Sequence, residues 1–201
     1  MATPKANLSQ RPLFVAFASQ LPSSQNRFSV IKPGMIIGTA DKGVANVDDF
    51  IWRVVSTASR LQLFPLDAKE SWVPISDADF VALQTVTQIL SDDISPYVNI
   101  ATTFGLGASD FWEQVNAELK RACKPVPWSV WVERALENTN QGGQGHPLWP
   151  VQDVLRGRDS TGISVSSPLS PPDNEVLCKA VRANVRHLGR VGFLETRQSN
   201  T

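Results

Sequence analysis

Residues that could carry metal or nucleophilic chemistry are few in this sequence of 201 residues. The two histidines are His146 and His187, and the two cysteines are Cys123 and Cys178. At about 100° per residue, the nine positions between Cys178 and His187 place them on opposite sides of a helix. Neither a zinc site nor a Cys-His pair has this spacing. We therefore expect two reduced thiols, no metal and no cysteine nucleophile.

Acidic pairs and glycine-rich turns offer no better site. The pairs Asp77/Asp79 and Asp92/Asp93 fall at helix starts or in loops, where carboxylates commonly cap free N–H groups. Gly105-Leu106-Gly107 lacks the third glycine of a dinucleotide fingerprint, and the sequence has no Gly-Lys-Ser/Thr phosphate loop. Because no convergent acid–base set is found, the sequence predicts a protein that is not an enzyme and uses no cofactor.

A run of basic residues near the end of the chain is the strongest signal for binding. Lys179, Arg182, Arg186 and Arg190 are three or four positions apart, so on a helix they form one continuous basic stripe. A stripe of one charge sign favours a polyanion as the partner. An acidic protein partner, or simply better solubility, is the alternative.

The charges are unevenly distributed although the net charge is zero. Residues 1–33 carry four basic and no acidic side chains, residues 34–175 carry 10 basic and 18 acidic ones, and residues 176–201 carry five basic and one acidic. Zero net charge excludes histone-like compaction of nucleic acid. Basic ends on an acidic body favour head-to-tail association or contact with a polyanion, and solvated chain ends are the alternative.

Apolar residues at three- and four-residue spacing predict a mainly α fold with a single helical core. The predicted helices begin at or near Asn46, Ser76, Ser95, Ser109, Trp128, Pro150 and Pro171. Residues 138–145 are predicted to be a flexible loop. The clustered tryptophans are expected to pack in a core or an interface, with base stacking as the less common role.

The composition divides the chain into an N-terminal arm (1–33), a helical core (34–170) and a C-terminal basic helix with a tail (171–201). Within the arm, an apolar island is expected to bury against this domain or another subunit. The predicted subunit-interface residues are Leu13, Phe14, Val15 and Phe17. No run of about 20 apolar residues and no signal peptide are present, so a soluble intracellular protein is expected.

The order of several motifs resembles that of the coat proteins of flexible filamentous plant viruses, the potexvirus-like group. The motifs are Phe111-Trp112, Lys124-Pro125-Val126-Pro127-Trp128, the segment 151–157 around Asp153, and the proline-acid helix start at 170–175. The resemblance implies a capsid protein that self-assembles into a helical homopolymer around single-stranded RNA. It also implies location in the virion and the host cytoplasm, with no membrane partner.

The resemblance further implies roles for individual residues. Asp153 would hold a basic residue at the RNA groove, and Arg156 is the nearest candidate for that pairing. The RNA-binding set is then Asp153, Arg156, Lys179, Arg182, Arg186 and Arg190. A helical protein–protein interaction or regulatory module without enzymatic activity is the alternative function.

Overall fold

The computed structural model describes residues 30–66, 72–91, 97–99, 105–156 and 174–197, in which short strands alternate with helices. The strands are β1 (Val30–Lys32), β2 (Met35–Ile37), β3 (Leu63–Pro65), β4 (Trp72–Val73), β5 (Ile75–Asp77), β6 (Tyr97–Asn99), β7 (Leu106–Gly107) and β8 (Lys124–Val126). The helices are α1 (Phe50–Leu61), α2 (Ala78–Leu90), α3 (Ala108–Glu118), α4 (Trp128–Gly142), α5 (Gln152–Arg156) and α6 (Asn174–Arg190). None of the described helices is long and apolar enough to span a membrane.

The described strands pair in twos, and most of the ladders are parallel. β1 pairs with β6, β2 with β5 and β3 with β8 in parallel, whereas β4 and β7 are antiparallel. Parallel partners need a crossover between them, and helices lie between the strands of each parallel pair along the chain. The mainly α prediction is therefore wrong, and the fold is α/β. Strands of two or three residues are too short to show an alternating pattern in the sequence.

Most of the predicted helices are confirmed, with two differences. The segment predicted to start a helix at Ser95 contains strand β6 instead. Helix α4 continues through Gly142 and so occupies most of the predicted loop 138–145. Propensity alone misjudged both segments because tertiary contacts override weak local preferences.

The core is built around stacked aromatic rings, as expected for the clustered tryptophans. Phe64 of β3 stacks on Trp112 of α3 with 4.8 Å between ring centroids, and Trp128 stacks on Trp131 at 5.6 Å. The indole Nε1 of Trp131 donates a hydrogen bond of 3.0 Å to the carbonyl of Leu63. This bond ties α4 to β3, because a buried indole N–H needs an acceptor.

Helix α6 is fixed to the loop after β2 by a buried amide. The side chain of Asn184 accepts from the Gly38 N–H at 2.9 Å and donates to the Gly38 carbonyl at 2.8 Å and to that of Ala180 at 2.7 Å. Further along the same loop, Gly43 has a φ of +59° and lies directly against the backbone of Ala183. The loop and the helix are therefore in backbone-to-backbone contact, which only glycine allows.

Candidate functional site

Most of the predicted basic stripe takes part in contacts within the chain. The Arg182 Nε donates to the Oε1 of Gln114 on α3 at 2.6 Å, and the Arg186 guanidinium lies 3.7 Å from the Glu118 carboxylate on the same helix. Lys179 pairs with the acid one turn earlier on α6 at 2.7 Å. The stripe therefore borders the packed α3–α6 pair and is partly neutralised there.

The remaining residues of the predicted RNA-binding set lie on exposed surfaces. Asp153 and Arg156 form an ion pair of 3.1 Å within α5, and the Asp153 side chain is 89% exposed. Arg190 is exposed at the end of α6. The predicted partnership of Asp153 and Arg156 is present, but an exposed pair of this kind contributes little energy. Asp153 is therefore not a buried anchor for a basic residue.

The predicted interface residues cannot be placed. Leu13, Phe14, Val15 and Phe17 lie outside the described residues. The division into segments 1–33, 34–170 and 171–201 stays a prediction, since residues 1–29 and 157–173 also lie outside them.

A cleft of about 520 Å³ opens beside the C-terminal half of α1. Its polar lining residues are Ser56, Ser59, Arg60, Gln62, Arg121 and Glu195. The buried hydroxyl of Ser56 lies 3.4 Å from the carbonyl of Phe193, which lines the same cleft. Two guanidinium groups against one carboxylate suit an anionic ligand. The lining residues include no histidine or cysteine, so this cleft has no activated nucleophile.

His146 forms a buried polar node between α4 and α5. Its Nδ1 accepts from the Leu148 N–H at 3.1 Å and lies 3.1 Å from the Thr139 hydroxyl, while its Nε2 lies 2.9 Å from the Asn138 Oδ1. A backbone N–H can only donate, so Nδ1 carries no proton and Nε2 donates. Burial, with a smaller contribution from the nearby Arg60 charge, lowers the pKa of His146. The imidazole is therefore a neutral structural group.

The lowered pKa predicts that the protein loses stability in mild acid. The unfolded chain binds a proton at His146 with an ordinary pKa near 6.5, while the folded chain resists it, so the free energy of unfolding falls as the pH drops below that value. The slope contributed by one group is at most about 1.4 kcal/mol per pH unit. Urea unfolding between pH 7.5 and 5 should show this slope, and His146→Gln should flatten it. Equal slopes for the two proteins would contradict the assignment.

The cysteines and potential metal ligands agree with the sequence-based expectation. Both Cys123 and Cys178 are free thiols. Burial raises the pKa of Cys123 to about 11, and its sulfur contacts the carbonyl of Ala58 at 3.4 Å. A thiol protonated at neutral pH is not a nucleophile. Among the described residues, no group of three His, Cys, Asp or Glu side chains could hold a metal ion.

Comparison with curated proteins finds similarity to long fungal peptide synthetases. N-benzoylphenylalaninol synthetase apmA of Penicillium brevicompactum is 32% identical over 182 residues, covering 89% of this chain and 8% of that protein. The nonribosomal peptide synthetase malG of Malbranchea aurantiaca is 30% identical over 173 residues, covering 84% and 7%. This chain thus spans less than a tenth of the length of these two relatives. No protein-family model matches the chain.

Comparison with solved structures identifies the part of such synthetases that this chain resembles. The reductase domain of PhqB from Penicillium fellutanum matches with a TM-score of 0.76 and 25% identity over 96% of this chain and 55% of that one. The chain is similar to a reductase domain, not to a viral coat protein. The terminal R domain of the myxalamid pathway has the same fold, with a TM-score of 0.63 and 17% identity.

These similarities overturn the predicted function. Recognition as a coat protein is wrong, and so are the capsid and virion features, the host cytoplasm location, the RNA partner and the helical homopolymer, because the relatives are fungal biosynthetic synthetases. The prediction of a protein that is not an enzyme is wrong for the same reason, and the regulatory-module alternative is not supported. The assignment of the basic stripe, Asp153 and Arg156 to an RNA site loses its basis with the partner.

The coat-protein resemblance failed because its motifs serve ordinary packing in this fold. Trp112 stacks in the core, and Lys124-Pro125-Val126 is strand β8, paired with β3. Each motif combines residue types that recur wherever helices end and aromatic rings pack. Their order along the chain therefore carried no information about RNA.

Sequence reasoning missed the residues that organise the fold near the cleft and along α6. Asn184 was not singled out, although an asparagine on the apolar side of a predicted helix, next to Val185, is a signal for a buried polar contact. Gly43 was noted only as punctuation, since the sequence does not show which glycine contacts another backbone. Arg60 and Arg121 are far apart in the sequence and meet only at the cleft.

Proposed function

We propose that this chain forms the acyl-binding part of a reductase domain in a nonribosomal peptide synthetase. The observation that carries the proposal is the structural match to the PhqB reductase domain over nearly the whole chain. The similarity to synthetases extends over most of the same residues, which supports the same placement.

The chemistry of such a domain follows from the name of one relative. Phenylalaninol is phenylalanine whose carboxyl group has become a primary alcohol, so a synthetase that makes its N-benzoyl derivative must reduce an acyl group. Starting from a carrier-bound thioester, one hydride and one proton give the aldehyde and free the carrier thiol. A second hydride and proton give the alcohol. NAD(P)H is the class of hydride donor for this reaction.

The described residues of this chain do not fit a nicotinamide dinucleotide. Such a site needs a glycine-rich turn from a strand into a helix, where N–H groups face the pyrophosphate. At the start of α2 the Asp77 carboxylate already accepts from the Phe80 N–H at 3.0 Å and would repel phosphate. At the start of α3 the carboxylate of Asp110 lies beside Gly107, and Pro127 precedes α4. We therefore assign the hydride donor to polypeptide other than these residues.

Binding the acyl group is the role that remains for this chain in a two-part site. Its packed aromatic core and the clamp between α6 and the loop after β2 provide a rigid body of the kind that a specific acyl site requires. The cleft beside α1 supplies positive charge but no acid–base pair. The groups that transfer protons during reduction are thus also expected outside the described residues.

A joined protein tests the proposal. The segment of the PhqB reductase domain that this chain does not cover is fused to the chain, and NADPH oxidation is followed with aminoacyl thioesters and the corresponding aldehydes. We expect reduction by the joined protein, with a thioester preference that changes when this chain replaces its PhqB counterpart. The chain without the segment should neither bind nor oxidise NADPH. A joined protein that binds NADPH but reduces neither thioesters nor aldehydes would refute the proposal.

A further inference from the structure

Helix α2 exposes an apolar face to solvent. Leu83, Val86, Ile89 and Leu90 are 61%, 49%, 69% and 77% exposed. They lie three or four positions apart or next to one another, so they form one continuous surface, which we call the outer face of α2. Contiguous apolar surface of this kind marks an interaction site.

The opposite side of α2 is only partly covered and is the more polar of the two. All thirteen residues of the helix are described, and none is buried. The half-buried positions on the inner side are Phe80, Val81, Gln84, Thr85 and Gln88. The Gln88 Oε1 atom is enclosed there without a hydrogen-bond partner. A surface helix normally has its apolar side inward, so this helix has the pattern of one that is covered on both sides.

The same region contains strand edges without partners. Helix α2 follows β5 directly and contacts β2 and β5. Among the described residues each of these strands pairs with one other strand, so the parallel ladder is two strands wide. Parallel sheets are stable when they are wider and covered on both faces. A partner that both extends a parallel sheet and covers an apolar helix is therefore an α/β polypeptide.

We infer that the outer face of α2 is the docking surface for the nucleotide-binding α/β part of a reductase domain, an inference that rests on the proposed function. This chain matches 55% of the PhqB reductase chain, so the rest of that domain has no counterpart here and is of the size and class required. Asp79 at the first turn is the one charged residue of α2, which leaves the face apolar along its length. A second copy of the chain would cover the helix without extending the parallel ladder.

The test compares two variants with the parent chain. Leu83→Glu combined with Ile89→Glu places two carboxylates on the outer face, and Val130→Glu combined with Val176→Glu places two on exposed positions of α4 and α6 as the control. The probe is the uncovered segment of the PhqB reductase domain, whose folding is checked by its NADPH fluorescence. If the isolated segment does not bind NADPH, the fused protein of the preceding section is used instead.

Hydrogen–deuterium exchange supplies the readout. With the segment present, the amides of residues 78–90 should exchange about tenfold more slowly or less, as expected when a helix becomes buried. The outer-face variant should weaken segment binding at least about tenfold, because burying unpaired carboxylates is costly, and the control variant should bind as the parent does.

Unchanged exchange over 78–90 in a complex with the segment would overturn the inference. So would an α2-dependent dimer of the chain, seen by light scattering, that persists when the segment is added. The outcome is separable from that of the proposed function. Protection of α2 without thioester reduction would refute the function alone, and reduction without protection would refute the docking surface alone.

Discussion

Replacing Gly43 with alanine is expected to destabilise the protein by about 3–5 kcal/mol, because it combines left-handed backbone strain with overpacking. The backbone at Gly43 has a φ of +59°, a conformation that residues with a Cβ rarely adopt. A Cβ at this position would also lie 2.4 Å from the backbone of Ala183, which cannot move aside as a flexible side chain can. Urea unfolding followed by circular dichroism measures the loss.

Two other glycines separate these causes. Gly192 has a φ of +76° and open space around it, so Gly192→Ala carries the strain alone and should cost about 1–2 kcal/mol. Gly145 has neither feature, and Gly145→Ala should lie within about 0.5 kcal/mol of the parent. If Gly43→Ala were no worse than Gly192→Ala, the close approach of this loop to α6 would be wrong.

The second large effect is expected at Asn184. Asn184→Leu keeps a similar volume but leaves the N–H and carbonyl of Gly38 without their side-chain partners in a buried contact. Unsatisfied buried groups cost about 1–3 kcal/mol each, so we expect a total loss of about 2–4 kcal/mol. Asn184 itself is fully buried, so water cannot replace the amide without local opening.

Asn140→Leu is the matched control for this substitution. Asn140 is exposed on α4, and leucine favours a helix more than asparagine does, so the control should be neutral or slightly stabilising. Because Gly43 and Asn184 fix the same loop to the same helix, the double variant should lose less than the two single losses combined. Strict additivity would mean that the two contacts act independently.

The sequence predicted helices better than it predicted what they pack against. Helices α1, α3 and α6 were found from their apolar spacing, because a period of 3.6 is visible over a dozen residues. For α2 the stripe through Leu83, Val86 and Leu90 was found as well, but the structure turns it outward. Periodicity reveals that a face is apolar, and the identity of whatever covers that face is not encoded in the same segment.

The strands and the site were beyond local reasoning for a different reason. Strand β1 pairs with β6 across more than sixty residues of sequence, and neither is longer than three residues. The contact of Asn184 with Gly38 joins positions 146 residues apart. A single sequence shows no sign of such pairs. The basic stripe was likewise visible, but its partners Gln114 and Glu118 lie on another helix.

The long separation of these contacts also sets the order in which the chain can acquire its structure during synthesis. The loop at Gly38 leaves the ribosome early, yet it has no partner until Asn184 of α6 emerges. Each β-ladder likewise waits for a strand made later, so loop closure has to be paid before any ladder rewards it. During that interval the apolar α2 is a nascent helix open to any passing surface, which makes this segment the natural client of a chaperone at the ribosomal exit.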